Sequence, residues 1–481
     1  MATQYRPPAG PARPAMARPP APAASRAPRA PWGWLEWVIV GQTAFSVLLF
    51  IPGLSPLRLL SRIGSFAIGL AALTVVCTSG KKSSGGPAFL ASPWLLGCTI
   101  WMAAMILHPQ TNSLPSGVAE LGLCLAVMSP AFWAGGALVS SKQLGRLMAI
   151  LLVCNGLSAM VGIGQVYRPD IFSPRMTVLY GEYGTADDVA TEVEGGRKIN
   201  RPSGLTDTPG AASHAGLLAG LAGVGWALQS TALWKRLAAL GLAFAGTYVI
   251  YFGQARLMLL IELGSLLILF AILLAQRDFK RATLMGIGAP LVFLGALGAV
   301  AAGSGGEGIL KRFAMLLEDD SSKVVMDNRG FVTAYVLEKG IYEYPLGAGM
   351  GRFGQPYVYF GDHAAPPSRG PLWTEVQAVA WLNDGGGPLM LAYTAAVALA
   401  IADAVRIALR TPDRSLATWA AVICALNIGI AVSGLGWAVF VTPMGLLFWL
   451  LAGTLHAADA RSRVEGRRRP AGVAAARAAG L

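Results

Sequence analysis

Residues 256–275 read RLMLLIELGSLLILFAILLA. Apart from Arg256 at the start and Glu262 within it, nothing in the run is ionisable. At 1.5 Å per residue, about 20 such residues in a helix span about 30 Å, the thickness of a bilayer's hydrocarbon core. Working outward in both directions, similar runs occur at 34–53, 63–79, 88–107, 117–139, 144–166, 211–229, 236–254, 282–303, 386–405, 416–434 and 437–456. The pattern predicts an all-α polytopic membrane protein with about twelve transmembrane helices. The runs are continuous rather than alternating, which argues against a β-barrel. Composition agrees, because only 13% of the residues are charged against about 25% in soluble domains.

The net charge of +13 raises nucleic acid as a partner, and the placement of the charge argues against it. Arg6, Arg13, Arg18, Arg26 and Arg29 lie in a Pro/Ala-rich tail, 1–33, and Arg461, Arg463, Arg467, Arg468, Arg469 and Arg477 lie in a second tail, 458–481. Both tails read as disordered and cytoplasmic, flanking a membrane domain at 34–457. The lipid bilayer, with its anionic inner surface, is the partner these tails fit. Alternate loops carry Lys81 and Lys82, Lys142 and Arg146, Lys235 and Arg236, Arg277, Lys280 and Arg281, then Arg406, Arg410 and Arg414. By the positive-inside rule these face the cytoplasm. Arg58 and Arg62 run against the rule. Two long segments remain for the outer face, 167–210 and 304–384, and they hold seventeen of the twenty-five acidic residues.

The five cysteines all fall in apolar runs and the four histidines are scattered. Neither a disulfide framework nor a metal site is expected. No cleavable leader is expected either, since the segment before Trp32 is long and proline-rich. Glu120, in the fourth run, has no partner that the sequence names.

The segment 304–384 is too long for a simple connector, and loops of this size are commonly functional. Its apolar spacing at 309–317 reads as a surface amphipathic helix. A second helix opens at Asp327-Asn328-Arg329. A glycine run follows, Pro345-Leu-Gly-Ala-Gly-Met-Gly-Arg352-Phe353. It reads either as a phosphate-binding loop or as a tight turn; the turn is the better fit without a preceding strand. His363, Arg369 and Glu375 lie beyond it. In the other outer segment, Asn200-Arg201-Pro202-Ser203-Gly204 leads towards a helix that Asp207 or Thr208 is placed to cap. Arg201, Arg256, Arg329 and Arg352 are forks suited to phosphate or diphosphate. Glu375 and His363 are the candidate general bases beside them.

These segments together resemble the O-antigen ligase and O-antigen polymerase family. The resembling residues are Arg201-Pro-Ser-Gly, Gln254-Ala-Arg256, Asn328-Arg329, the glycine run ending in Arg352-Phe353, and Glu375 followed by Asn383-Asp384-Gly385-Gly386. The resemblance covers roughly residues 140–450. It implies a GT-C-like membrane fold with a large helical extracytoplasmic loop, in a bacterial inner membrane. It also implies metal-independent glycosyl transfer with no cofactor, from an undecaprenyl-diphosphate-linked oligosaccharide. In that chemistry arginines hold the diphosphate and a loop residue activates the acceptor hydroxyl. A flippase and a chain-length regulator are the implied protein partners. Ligases carry His-Asn where this chain has Thr374-Glu375, which favours a polymerase over a ligase acting on a lipid A core. A lipid or polysaccharide transporter is the non-enzymatic alternative.

Overall fold

The computed structural model describes residues 32–51, 58–79, 89–172, 190–193, 197–206, 208–253, 255–303, 331–372 and 374–478. Its helices are α1 (Trp34–Val47), α2 (Arg58–Thr78), α3 (Ser92–Met105), α4 (Leu114–Met128), α5 (Pro130–Ala137), α6 (Gln143–Tyr167), α7 (Ala212–Gln229), α8 (Leu233–Gly253), α9 (Arg256–Ala275), α10 (Phe279–Ala302), α11 (Gly354–Phe360), α12 (Gln377–Arg410), α13 (Arg414–Ser433) and α14 (Pro443–Ala478). Each of the twelve apolar runs falls on one of these helices, with α4 and α5 sharing one run. Among the described residues, seven segments are long and apolar enough to cross a membrane: 114–137, α6, α8, 257–275, α10, α12 and α13. The chain is therefore a multi-pass α-helical membrane protein. The other helices on apolar runs are shorter or more polar.

Three local features differ from the sequence expectation. A small antiparallel hairpin, β1 (Ala190–Val193) with β2 (Arg197–Asn200), interrupts the helical pattern, with Ala190 opposite Asn200. Thr208 does not cap α7, which starts later with Ala211 at the N-cap position and no side-chain cap; Asp207 lies outside the described residues. The left-handed backbone at Gly210 (φ 78°) delays the start, a conformation glycine adopts without penalty. Finally, α14 runs past residue 457 to Ala478, through a stretch rich in the strong helix formers Ala and Arg despite Gly466, Pro470 and Gly472.

The centre of the bundle is α7. Fifteen of its residues are buried, because small residues let neighbouring backbones come close. A Cβ placed on Gly216 would lie 2.5 Å from the Gly246 carbonyl oxygen of α8. One on Gly246 would lie 2.6 Å from the Gly216 carbonyl, and one on Gly223 would lie 2.6 Å from the Ala239 carbonyl. In lipid no hydrophobic force drives helices together, so close packing of this kind is what holds them. Gly216→Leu is expected to destabilise the protein by about 1–3 kcal/mol or more through overpacking. Gly241→Leu, on the neighbouring helix α8, has open space around its Cβ position and serves as the control. Thermal unfolding of the detergent-purified variants measures the difference.

Charged groups tie the helices at one end of the bundle. Glu36 is buried, accepts from Gln143 Nε2 at 2.8 Å and pairs with Arg146. Asp403 accepts from Arg406 at 2.6 Å and lies 2.7 Å from His456 Nδ1. Arg281 pairs with Asp278 at 2.8 Å. The sequence-selected site segments lie at the opposite end, where α6, α8 and α10 finish and α7, α9 and α12 begin.

Candidate functional site

The helix α12 is two helices joined at a break. Gly385 (φ −161°, ψ 16°) and Gly386 (φ 65°, ψ −158°) leave the helical region. Trp381 and Tyr393 sit on either side of this break. Twelve residues of straight helix would separate them by about 18 Å. Instead their rings stack at 4.8 Å, so the first segment folds back against the second. Tyr393 in turn accepts from Trp449 Nε1 at 3.0 Å, and Phe440 packs against both rings. Trp101 of α3 donates to the Gly385 carbonyl at 2.8 Å, satisfying one backbone group that the break releases.

The glycine run 345–354 fills the angle of this break. Gly347, Gly349, Gly351 and Gly354 all have positive φ, between 64° and 110°. Ala348 N–H donates to the Asn383 carbonyl at 2.7 Å, and Gly387 N–H donates to Pro345 at 3.0 Å. On the other side the run meets the start of α4. Met350 N–H donates to Thr111 Oγ1 at 3.2 Å, Asn112 N–H donates to the Met350 carbonyl at 3.3 Å, and Ser116 Oγ donates to the Gly351 carbonyl. Ala348 and Met350 N–H groups are thus already used inside the fold, which makes the run a buried turn and not a phosphate cradle.

Arg352 completes the turn. Its side chain is only 3% exposed, and it donates to the carbonyls of Gly370 at 2.9 Å and Ala348 at 3.0 Å. The guanidinium is placed to hold the cap together, away from any exposed surface. Burial and the nearby Arg352 charge both hold the His108 imidazole below its usual pKa range. Asn112 pins the next stretch, donating to the carbonyls of Asp362 at 3.1 Å and Arg369 at 2.9 Å and accepting from Asp362 N–H at 2.7 Å. His363 follows on the exposed side of this stretch, its ring 5.0 Å from Tyr357.

The remaining segments converge on the same end through named contacts. The cap has its own small core of Val332, Val336, Val376, Val379 and Leu382. Glu375 is half-buried and immediately precedes Val376, the N-cap of α12. Its neighbourhood is anchored by Asn383 Nδ2 donating to Thr374 Oγ1 at 2.9 Å and by Gln377. That residue donates its N–H to the Gly434 carbonyl at 2.9 Å and accepts from Phe440 N–H at 2.6 Å. Between those two anchors sits Trp437, whose ring lies 5.6 Å from His214 of α7.

The start of α7 is joined to the Arg201 segment, because Ala212 N–H donates to the Pro202 carbonyl at 3.3 Å. Gln165 of α6 clamps that segment, accepting from Ser203 and Gly204 N–H at 2.8 and 2.9 Å. This leaves Arg201 exposed at the end of a fixed loop. Gly253, at the end of α8, abuts Ser213 of α7, so the chain enters α9 at Arg256 beside the same region. The backbone segments carrying Arg201, Arg256 and Glu375 therefore share one end of the bundle. Arg329 and the expected 309–317 helix lie outside the described residues.

The structure also supplies a partner for Glu120. Asp384, the residue before the break in α12, reaches the same interior point, and Cys124 stands one turn from Glu120 on α4. The sequence signal was two ionisable residues at the edges of apolar runs, where such groups are costly and seldom incidental. Their pairing needed the fold. In comparisons with known proteins, no family model and no curated protein matches the chain.

Proposed function

We propose that the chain is a polysaccharide polymerase that joins undecaprenyl-diphosphate-linked oligosaccharide repeat units on the outer face of a bacterial inner membrane. Its twelve helices would all cross the membrane in a GT-C-like arrangement, with both termini cytoplasmic. The product would be O-antigen, capsule or exopolysaccharide. The observation that supports the reading is that the Arg201 loop, the start of α9 at Arg256 and the Glu375 segment share one end of a membrane bundle.

In the proposed step, a hydroxyl of the acceptor sugar loses its proton to Glu375, and its oxygen bonds to C1 of the donor sugar. The bond from C1 to the phosphate oxygen breaks, and undecaprenyl diphosphate leaves with the electron pair. Two negative charges of that leaving group are gripped by Arg201, Arg256 and Arg329, whose forks match phosphate oxygens. Preorganised positive charge at the departing group is the dominant catalytic contribution in such transfers. His363, on the exposed stretch after the glycine turn, is the alternative base.

Carrier lipids extracted from a deletion strain test the reading. A polymerase defect leaves carrier bearing single repeat units on the outer face. Finished chains that stay on the carrier indicate the ligase instead. The break at Gly385–Gly386 and the buried Glu120 and Asp384 favour a second reading, a transporter, because discontinuous helices with buried carboxylates line transport sites. Single units trapped on the cytoplasmic face would indicate that activity.

A further inference from the structure

Two carboxylates and a thiol, two of them carried by α4 and one by the residue before the break in α12, come together in the interior. One ligating atom each from Glu120, Cys124 and Asp384 lies within 4.8 Å of the others. Glu120 is 0% exposed, Asp384 2% and Cys124 6%. Among the described residues, no Lys or Arg forms an ion pair with either carboxylate. A second observation is independent of their proximity. Oε2 of Glu120 and Oδ1 of Asp384 are buried without a hydrogen-bond partner among the described residues. The other oxygen of Glu120 has only a long contact, 3.9 Å from Cys124 Sγ. Buried polar atoms are rarely left in that state, and each exception calls for an explanation. Two carboxylates this close in a low-dielectric interior do not both stay ionised unless a cation, or a proton held by the pair, offsets their charge.

We propose that Glu120, Cys124 and Asp384 bind one divalent cation of borderline softness, Zn2+ in the first instance, pinning α4 to α12 beside the Gly385–Gly386 break. The donor set selects the ion. Carboxylate oxygens alone would suit Mg2+, Mn2+ or Ca2+, whereas a thiolate beside them favours Zn2+. Zinc takes sulfur at about 2.3 Å and carboxylate oxygen at about 2.0–2.2 Å, so tetrahedral donors lie about 3.5 Å apart. From separations within 4.8 Å, the donors reach that spacing by closing up to about 1.3 Å around the ion. Glu120 and Cys124, four residues apart, present their donors from one face of α4, and Asp384 supplies the third from across the interface. Binding displaces the thiol proton, as coordinating thiols are deprotonated. The site is structural and does not depend on the glycosyl-transfer reading.

The test uses the full-length protein in detergent, stripped with a chelator and titrated with Co2+ as a spectroscopic substitute for Zn2+. The expected result is about one equivalent bound with tetrahedral visible bands and a near-ultraviolet thiolate band, together with a rise in unfolding temperature when Zn2+ replaces Co2+. Cys124→Ser is expected to abolish the near-ultraviolet band. Glu120→Gln and Asp384→Asn should weaken binding by about tenfold or more. Cys154→Ser, outside the cluster, should leave the spectrum unchanged. If wild-type protein stays colourless with Co2+ and gains no stability with Zn2+, the proposal is overturned and a proton shared by the two carboxyls takes the place of the ion. A thiolate band that survives Cys124→Ser overturns it equally. The wild-type titration decides the matter even where a variant fails to fold.

Discussion

Alanine in place of Arg256 is expected to cut polymer formation by about a hundredfold or more, the usual cost of removing one preorganised group at a developing charge. The leaving group in the proposed reaction is a lipid diphosphate, and its departure concentrates negative charge on the phosphate oxygens. Arg256 opens α9 at the end of the bundle where the Arg201 loop is clamped to α6 and joined to α7. A guanidinium there is always charged and binds two phosphate oxygens at once, so Arg256→Lys is expected to recover only part of the lost rate. The same loss is expected for Arg329→Ala. Arg281→Ala is the contrasting case, since Arg281 pairs with Asp278 at the other end of the bundle. Chain length and yield of surface polysaccharide in complemented deletion strains read all four variants. Full-length polymer at normal yield from Arg256→Ala and Arg329→Ala would refute the assignment of arginines to the diphosphate.

The second large effect is on the cap. Gly349 has φ 87°, and a Cβ there would collide with the backbone of Gln110 and Thr111 at the start of α4. Gly349→Val combines a left-handed conformation that costs an L-residue about 1–2 kcal/mol with an overpacking cost of about 1–3 kcal/mol. Neither partner is the free end of a flexible side chain, so the strain has no cheap release. The glycine run is expected to leave the angle of α12, freeing Arg352 from its two carbonyls and loosening the stretch up to Glu375. Limited proteolysis should then cut between residues 354 and 376, and activity should fall with it. Gly387→Ala is the milder comparison, since its Cβ position meets only the Pro345 carbonyl, at 3.7 Å. Equal protease resistance in Gly349→Val and wild type would contradict this account of the turn.

The membrane class was legible because hydrocarbon thickness fixes helix length, and runs such as 256–275 announce themselves by composition alone. The positions of the helices followed for the same reason. The break in α12 was not legible. Gly385-Gly386 stood in view as the start of a span, yet only the stacking of Trp381 on Tyr393 shows that the helix folds back there. The glycine run was read towards a turn, and its backbone hydrogen bonds to Asn383 and Thr111 bear that out. Arg352 looked like one more ligand-binding fork. Its position inside that turn depends on carbonyls of Ala348 and Gly370 that no local pattern identifies. Glu120 stood out as an ionisable group in an apolar run, and Asp384 only as part of the motif ahead of a span. Their meeting is a tertiary fact, made by side chains from two helices far apart in the chain.

The central claim is that this bundle makes glycosidic bonds with Glu375 as the base. Its most direct test is purified protein in lipid vesicles, given undecaprenyl-diphosphate-linked repeat units from the native strain. The account predicts a ladder of lengthening chains and released undecaprenyl diphosphate with wild-type protein. It predicts a rate lower by about 100-fold to 10,000-fold with Glu375→Gln, the range for loss of a general base, and little change with His363→Ala. Unaltered single repeat units with active wild-type vesicles, or full polymer from Glu375→Gln, would contradict it.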